Sequence, residues 1–372
     1  MLKQVTLNDT LAIAIGAGIL GTGGGGNTYI GRIRLENALR EHNKSVEIIS
    51  ADEVADDALV CAVGMMGAPT VSIEKLPTGN EILNGIRALE GHLRQKMDAI
   101  IIGEIGGANA LGPLIAGLQC GLPVVDGDGM GRAFPELQMD TFNIGGVSAD
   151  PFVLADAHGN VTIFERIGSA LQAEEFGRSL TIEMGGSAAL IMPVMTGKEM
   201  KANIIRNTLS LAKAIGDKVI DCRKHNIPPA ESVAELCNGE VMFTGKIIDV
   251  ERRTEQGFSK GKLTVSDFVD FDNQLIIDFQ NENLIARVGE TVLCTVPDLI
   301  CIIGIEDGEP IGTESLRYGL RVAVLALPAP IELKTSEALP VLGPSAFGYH
   351  YQFNPLAGNL LDNSELMNNQ TE

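Results

Sequence analysis

Asp98-Ala99-Ile100-Ile101-Ile102-Gly103-Glu104-Ile105-Gly106-Gly107-Ala108-Asn109 decides the fold. Ala99 to Ile102 is short, apolar at every position and β-branched from Ile100 on, so it reads as a strand buried on both faces. It runs directly into a glycine-rich turn that carries one carboxylate. The pattern recurs on either side. Leu59-Val60-Cys61-Ala62-Val63 ends in Gly64-Met65-Met66-Gly67-Ala68-Pro69, and Leu122-Pro123-Val124-Val125 ends in Asp126-Gly127-Asp128-Gly129-Met130-Gly131-Arg132. Val46 to Ile49 is a further strand. Helices fit between: Thr78-Gly79-Asn80-Glu81 is a capping box opening a helix to about Arg94, and a short helix reaches Cys120. Alternating strands and helices imply right-handed βαβ units and a mainly parallel sheet. In such a sheet, ligands bind beyond the carboxyl ends of the strands, where these glycine-rich loops lie.

Upstream, Asn8 or Asp9 caps a helix to about Leu20, and a second helix fits Thr28 to Glu41. Between them stands Gly21-Thr22-Gly23-Gly24-Gly25-Gly26-Asn27. Glycine loses more backbone entropy on folding than any other residue, so this run marks a place where backbone approaches something closely. Downstream, Ser169 starts a helix to about Leu180, Ala188 to Val194 is apolar, and Thr196-Gly197-Lys198-Glu199 opens a helix to about Ile215. The texture changes after Cys222. Short β segments follow at 241–250, 262–269, 274–279, 284–288, 291–296, 299–303 and 320–327, with turn signals at Asp272-Asn273 and Asn281-Glu282-Asn283. This spacing predicts a sandwich or barrel. The expected division is an α/β domain over 1–220, a mostly-β domain over 221–357 and a flexible tail over 358–372.

The chain has 372 residues, a net charge of −20 and a pI near 4.7, a balance that disfavours nucleic acid and anionic membrane surfaces as partners. It has no Trp and few aromatics, so a base-stacking surface is poorly supplied. No apolar run reaches membrane-spanning length, and Met1 to Thr6 lacks the apolar region of a secretory signal. Six scattered cysteines, with no Cys-x-x-Cys pair, read as buried free thiols. A cytoplasmic location is expected.

Gly16-Ala17-Gly18-Ile19-Leu20-Gly21 matches the dinucleotide fingerprint, but the glycines that follow would break the helix that motif must open. Gly26-Asn27-Thr28 has no Lys for a phosphate loop of the Walker type. No nucleotide cofactor is therefore expected. The glycine run can hold an anion or polar heterocycle through its N–H groups, or can simply turn the chain between two packed helices. The converging loops supply Met66, Glu104, Asn109, Asp126, Asp128 and Arg132, with Glu136 just behind. Asp126 and Asp128 stand two residues apart on glycine-rich backbone. Such carboxylates can share a divalent metal or divide acid and base roles, repulsion raising one pKa. The plain alternative is a pair of solvated turn aspartates. Asp126, Asp128 and Glu104 are the candidate catalytic groups. Gly23, Gly24, Gly25, Gly26, Asn27, Met66, Asn109 and Arg132 are the candidate substrate contacts, and Asp126, Asp128 and Glu136 are the candidate metal ligands. The five histidines show no zinc-binding spacing, and Tyr349-His350-Tyr351 either plugs the β domain or folds back on the crevice.

The segments at 21–27, 64–69, 104–109 and 126–136, in this order, resemble the DUF917 family, also called the S-methyl-thiohydantoin desulfurase family. The resemblance runs from about residue 8 to about 356. It implies an N-terminal three-layer α/β domain, a C-terminal β-barrel-like domain and an association with hydantoinase-type and oxoprolinase-type proteins. It assigns no role to individual residues, and the metal-histidine cluster of a hydantoinase is not in this sequence. The expected activity is hydrolysis of a small five-membered heterocycle of the thiohydantoin or hydantoin type, in a homo-oligomer. The alternative is a non-catalytic subunit or regulatory partner of a hydantoinase-like enzyme.

Overall fold

A computed structural model describes residues 2–67, 71, 76–255 and 257–360. Two sheets organise it. The first contains β1 (Gln4–Val5), β2 (Val46–Ile49), β3 (Leu59–Gly67), β4 (Ala99–Ile102), β5 (Val124–Asp128), β6 (Phe152–Ala155), β7 (Val161–Phe164), β8 (Ser187–Thr196) and β9 (Ile205–Arg206). Its order is β1-β2-β5-β4-β3-β8-β6-β7, with β9 beside β5. The centre, β2-β5-β4-β3, is parallel, and antiparallel strands extend it.

The apolar strands are apolar throughout because both faces are covered. Cys61, Val63, Ile100, Ile102 and Val124 face a core shared with α1 (Thr10–Leu20), α2 (Thr28–His42), α3 (Glu81–Leu93) and α4 (Gly112–Cys120). Val60, Ala62, Ala99, Ile101 and Val125 face the opposite side, against Phe142, Met195, Met200 and Ile204. Alternate residues of one strand thus serve opposite layers, as the period of a pleated strand requires.

The second sheet is antiparallel and curls into a half-barrel: β10 (Glu240–Glu255), β11 (Phe258–Ser266), β12 (Gln274–Gln280), β13 (Glu282–Val288), β14 (Thr291–Thr295), β15 (Leu299–Gly304) and β16 (Arg321–Leu327). One face of it, with Ile247, Leu263, Ile277, Ile300 and Val324, closes its own core. The other, with Ile285, Cys301, Ile303 and Leu325, joins the core of the N-terminal half. This second contact brings the Asn281 corner onto the glycine run.

The helices confirm much of the pattern and correct part of it. Asn27 caps α2 by accepting from Ile30 N at 3.1 Å, and Ser169 caps α5 (Ala170–Glu183) by accepting from Gln172 N at 3.2 Å. The helix expected from Thr196 to Ile215 is two helices, α6 (Gly197–Asn203) and α7 (Thr208–His225), with β9 between them. Two interactions divide it: Ile205 and Arg206 pair with Asp128 and Gly127, and Asp126 binds the start of α7. Pro229–Leu236 forms α8, leading into β10. At the other end, Leu360 is buried and Asn238 Nδ2 donates to Asn359 O at 3.1 Å, so residues 358–360, expected to begin the tail, are docked. Residues 361–372, and Ala68 and Pro69 of the second motif, lie outside the described residues.

The Gly16-x-Gly18-x-x-Gly21 pattern has a packing explanation. A Cβ on Gly16 would lie 2.5 Å from the Ala212 carbonyl carbon, and one on Gly216 would lie 2.6 Å from Ala12 Cα, so α1 and α7 cross backbone to backbone. A Cβ on Gly18 would meet Pro310 Cγ at 2.5 Å. These glycines sit inside or at the end of α1, not in a loop before a helix. All six cysteines are free thiols. Tyr349 is half-buried and packs against the core near Asp278 and Arg287 of the half-barrel, away from the cleft described below. Among the described residues no helix is long and apolar enough to cross a membrane.

Candidate functional site

All four glycine-rich segments line one cleft of about 170 Å³. Its walls include Gly25, Gly26 and Asn27 from the first, Gly64 to Gly67 from the second, Glu104, Ala108 and Asn109 from the third, and Met130, Phe134 and Glu136 from the fourth. Asn281 and Glu282 of the half-barrel close it.

The glycines interlock. Thr22, Gly23, Gly25 and Gly26 all have positive φ, at 49°, 95°, 76° and 87°. A Cβ on Gly25 would lie 2.5 Å from the Gly106 carbonyl carbon, and one on Gly107 would lie 2.7 Å from Gly24 O. The first and third segments therefore touch backbone to backbone, which only glycine at these positions allows. Asn109 N donates to Gly25 O and Ala108 N to Gly26 O, each at 3.2 Å. The N–H groups of Gly25 and Gly26 have no acceptor among the described residues. They stand at the cleft, just before the N-terminus of α2. Successive N–H groups in such a turn form a concavity suited to negative charge.

Glu104 is buried at the end of β4. Asn109 Nδ2 donates to its Oε1 at 2.5 Å and Phe134 N to its Oε2 at 3.2 Å. Burial pushes its carboxyl up to about 7, the Asp128 charge adding to that and the two hydrogen bonds opposing it. Glu282, 3% exposed, stands at the start of β13. Its carboxyl is pushed well above the ordinary range, first by burial and then by the charge of Glu104, with Arg132 and Arg178 pulling the other way. Glu282 Oε2 is buried with no hydrogen-bond partner among the described residues. A Cβ on Gly24 would lie 2.5 Å from Glu282 Cδ and closer still to Oε1. The glycine run thus makes room for a carboxyl group contributed from the other half of the chain.

The expected residues divide by place. Glu104, Asn109, Met66, Gly25, Gly26, Asn27 and Glu136 reach the cleft. Asn109 does so with its amide already engaged: Oδ1 accepts from Met65 N at 2.9 Å, and Nδ2 donates to Met65 O and Glu104. Gly23 instead accepts from Thr313 N through its carbonyl at 2.7 Å, and Gly24 backs Glu282.

Asp126 and Asp128 are not on a solvated turn but in β5, both buried. Asp126 accepts from Leu209 N and Ser210 N at 3.1 Å each, and from Ser210 Oγ at 2.5 Å, filling the N-terminus of α7. Asp128 Oδ2 accepts from Ile105 N, Met130 N and Gly131 N at 2.8, 3.1 and 2.9 Å, tying the third segment to the fourth. Arg132, proposed from sequence to touch substrate, is fully buried on backbone carbonyls and Thr22. Glu136 Oε2 accepts from Gln138 Nε2. Of the proposed metal set, Asp126 has both oxygens on protein donors, Asp128 its Oδ2 and Glu136 its Oε2, while Asp128 Oδ1 is buried with no hydrogen-bond partner among the described residues. No group of three or more His, Cys, Asp or Glu among the described residues is placed to hold an ion.

Asp126→Asn is accordingly expected to act on α7: about 1 kcal/mol of stability is lost with the charge at the helix N-terminus. Turnover stays within a few-fold of the parent, measured by thermal melting and activity on the same sample.

The sequence does not mark Glu282 or its neighbour Arg178 as site residues. Asn281-Glu282-Asn283 forms the hairpin corner its turn signal predicts, with Asn281 at φ 57°. The missed signal is a Glu between two Asn at the head of an apolar strand. Both Asn side chains lock the corner: Ser259 N donates to Asn281 Oδ1 at 2.8 Å, and Asn283 Nδ2 donates to Ile300 O at 2.9 Å.

The fold and cleft define a two-part chain whose second half completes a site begun in the first. Models of the S-Me-THD-like family match it in that form, the N-terminal domain over residues 8–166 and the C-terminal domain over 168–356. The chain belongs to the S-Me-THD-like family. The boundary of the two models falls inside the first sheet, since β8 lies beyond it and pairs with β3. No curated protein matches the chain. A crystal structure of a protein from Chromobacterium violaceum, a structural-genomics target, superposes with a TM-score of 0.78 at 24% identity, covering 95% of this chain and all of that one. That likeness shows the fold.

Proposed function

We propose that the cleft hydrolyses a small five-membered heterocycle of the thiohydantoin type. The observation that carries this reading is the pair of buried carboxyls, Glu104 and Glu282, facing one cleft from the two halves of the chain. Membership of a family named for S-methyl-thiohydantoin supports the substrate class.

In this reaction a water oxygen attacks the ring carbon that bears sulfur. A C–O bond forms and the C–S bond breaks; of the two water protons one leaves on the thiol and the other ends on the ring nitrogen as the ring gains a carbonyl. Glu104, ionised over half its population above pH 7, takes the proton from water. Glu282, whose carboxyl burial and the Glu104 charge push well above the ordinary range, supplies a proton to the sulfur or ring nitrogen. The Gly25 and Gly26 N–H groups lie where they can stabilise negative charge on a ring oxygen. Met66, Met192 and Leu190 give the ring an apolar wall.

The pH dependence follows from these roles. The rate rises as pH climbs through about 7, where Glu104 loses its proton, and falls again where Glu282 loses its own. A kcat/KM profile between pH 5 and 10 checks this, and a rate flat across pH 6–8 contradicts it. Purified protein, tested alone with an S-methyl thiohydantoin in ¹⁸O-labelled water, is expected to release the thiol and place one label on the ring carbonyl. Thiol release only after a hydantoinase-like partner is added favours the non-catalytic subunit instead.

A further inference from the structure

Arg132 is an unusual buried cation. All five of its N–H groups are used: Nε donates to Ala133 O at 3.0 Å, Nη1 to Pro297 O at 3.2 Å and Asp298 O at 2.9 Å, and Nη2 to Thr22 Oγ1 at 2.8 Å and Asn283 O at 3.1 Å. Every acceptor is a carbonyl or hydroxyl oxygen. Its positive charge is not cancelled by a bonded carboxylate.

The segments it joins are those that carry the reactive pair. Ala133 precedes Phe134, whose N–H holds Glu104. Asn283 follows Glu282, and its own N–H donates to Thr22 O at 2.8 Å. Thr22 opens the glycine run, whose Gly24 lies against the Glu282 carboxyl. Pro297 and Asp298 belong to the turn before β15.

We propose that Arg132 is the positioning residue of the site, a fixed cation whose planar fork holds the glycine run, the Glu104 loop and the Glu282 strand in one arrangement. This rests on the hydrolytic reading for its consequence in catalysis, but not for its electrostatic part. The cleft around the pair also carries Arg34, Glu81, Glu136, Asp140 and Arg178. Glu104 feels Asp128 and Arg132, and Glu282 feels Glu104, Arg132 and Arg178. Arg132 in turn faces Glu282, Asp298 and the Cys294 and Cys301 thiols. Its cation offsets part of the cost of an ionised carboxyl in this enclosed place. Lys carries the charge but cannot span five acceptors, so the two duties separate by substitution.

The test is a substrate-free titration of protein carrying ¹³C-labelled glutamate. The Glu104 and Glu282 signals are assigned by their loss in Glu104→Gln and Glu282→Gln. Arg132→Gln is expected to raise both midpoints by about one pH unit or more, as removal of a nearby opposite charge does. Arg132→Lys is expected to leave them within about half a unit while kcat falls about tenfold or more, the effect of a misplaced group. Unchanged midpoints in a folded Arg132→Gln protein overturn the proposal. Should that variant not fold, Arg132→Lys decides: wild-type kcat overturns the proposal, and a tenfold loss with retained midpoints supports it. If the wild type releases no thiol, the hydrolytic reading fails, while the titration still decides whether Arg132 acts on the pair.

Discussion

Glu104→Gln is expected to lower thiohydantoin turnover by about 10²- to 10⁴-fold, the usual worth of a positioned general base, while the protein stays folded. The amide has the shape of the carboxyl but cannot take a proton from water. Its second signature is in stability. Because the folded-state pKa of Glu104 lies near 7, above the ordinary carboxyl value of 4.5, the folded protein binds more protons than the unfolded chain between those limits. Stability therefore falls as pH rises from about 4.5 to about 7, and Glu104→Gln removes its share of that decline, the raised Asp128, Asp140 and Glu282 carboxyls keeping theirs. Melting temperatures at pH 5 and pH 8 measure it. A variant that loses activity yet keeps the parent's pH-dependent melting would place the raised carboxyl elsewhere.

Gly24→Ala should separate activity from folding. The three atoms nearest the added Cβ all belong to the Glu282 side chain, Cδ at 2.5 Å, Cγ at 2.7 Å and Oε1 nearer still. A side chain can move where backbone cannot, so the protein is expected to fold with a small loss of stability. The Glu282 carboxyl shifts by an ångström or more, and a displacement of that size costs about 10²-fold in rate. Gly25→Ala makes the contrast. Its φ is 76° and its Cβ would run into the Gly106 carbonyl, which is backbone, so the expected loss is about 1–3 kcal/mol or more of stability. Equal melting and equal activity of Gly24→Ala and wild type would contradict the place given to Glu282. Circular dichroism and initial rates on the two variants suffice.

The strands and their glycine-rich ends were legible because burial on both faces leaves a run such as Ile100-Ile101-Ile102 with no polar position. The convergence of three loops followed from the rule that parallel strands end together; the glycine run joins them from between two helices, and the cleft contains a part of each. Roles inside the cleft were harder to read. Asp126 and Asp128 stand on glycine-rich backbone, which suggested a loop, but the strand continues through them and neighbouring N–H groups bind Asp126 Oδ1 and Asp128 Oδ2. A carboxylate bound to a helix N-terminus and one poised for catalysis look alike in a sequence. Glu282 was out of reach for a different reason. It lies in the other half of the chain, 178 residues from Glu104 by their numbering, and only packing of the half-barrel against the first core brings it to the cleft. The single helix expected from 196 to 215 failed likewise, because its break is imposed by β9 and Asp126 and not by Gly or Pro.

The most direct measurement is the initial rate of thiol release from an S-methyl thiohydantoin by the purified protein alone, with wild type, Glu104→Gln and Glu282→Gln compared side by side at pH 7.5. The paired-carboxyl account predicts turnover by the wild type and losses of about 10²-fold or more in both variants, each still folded. Wild-type rates in either variant would contradict it.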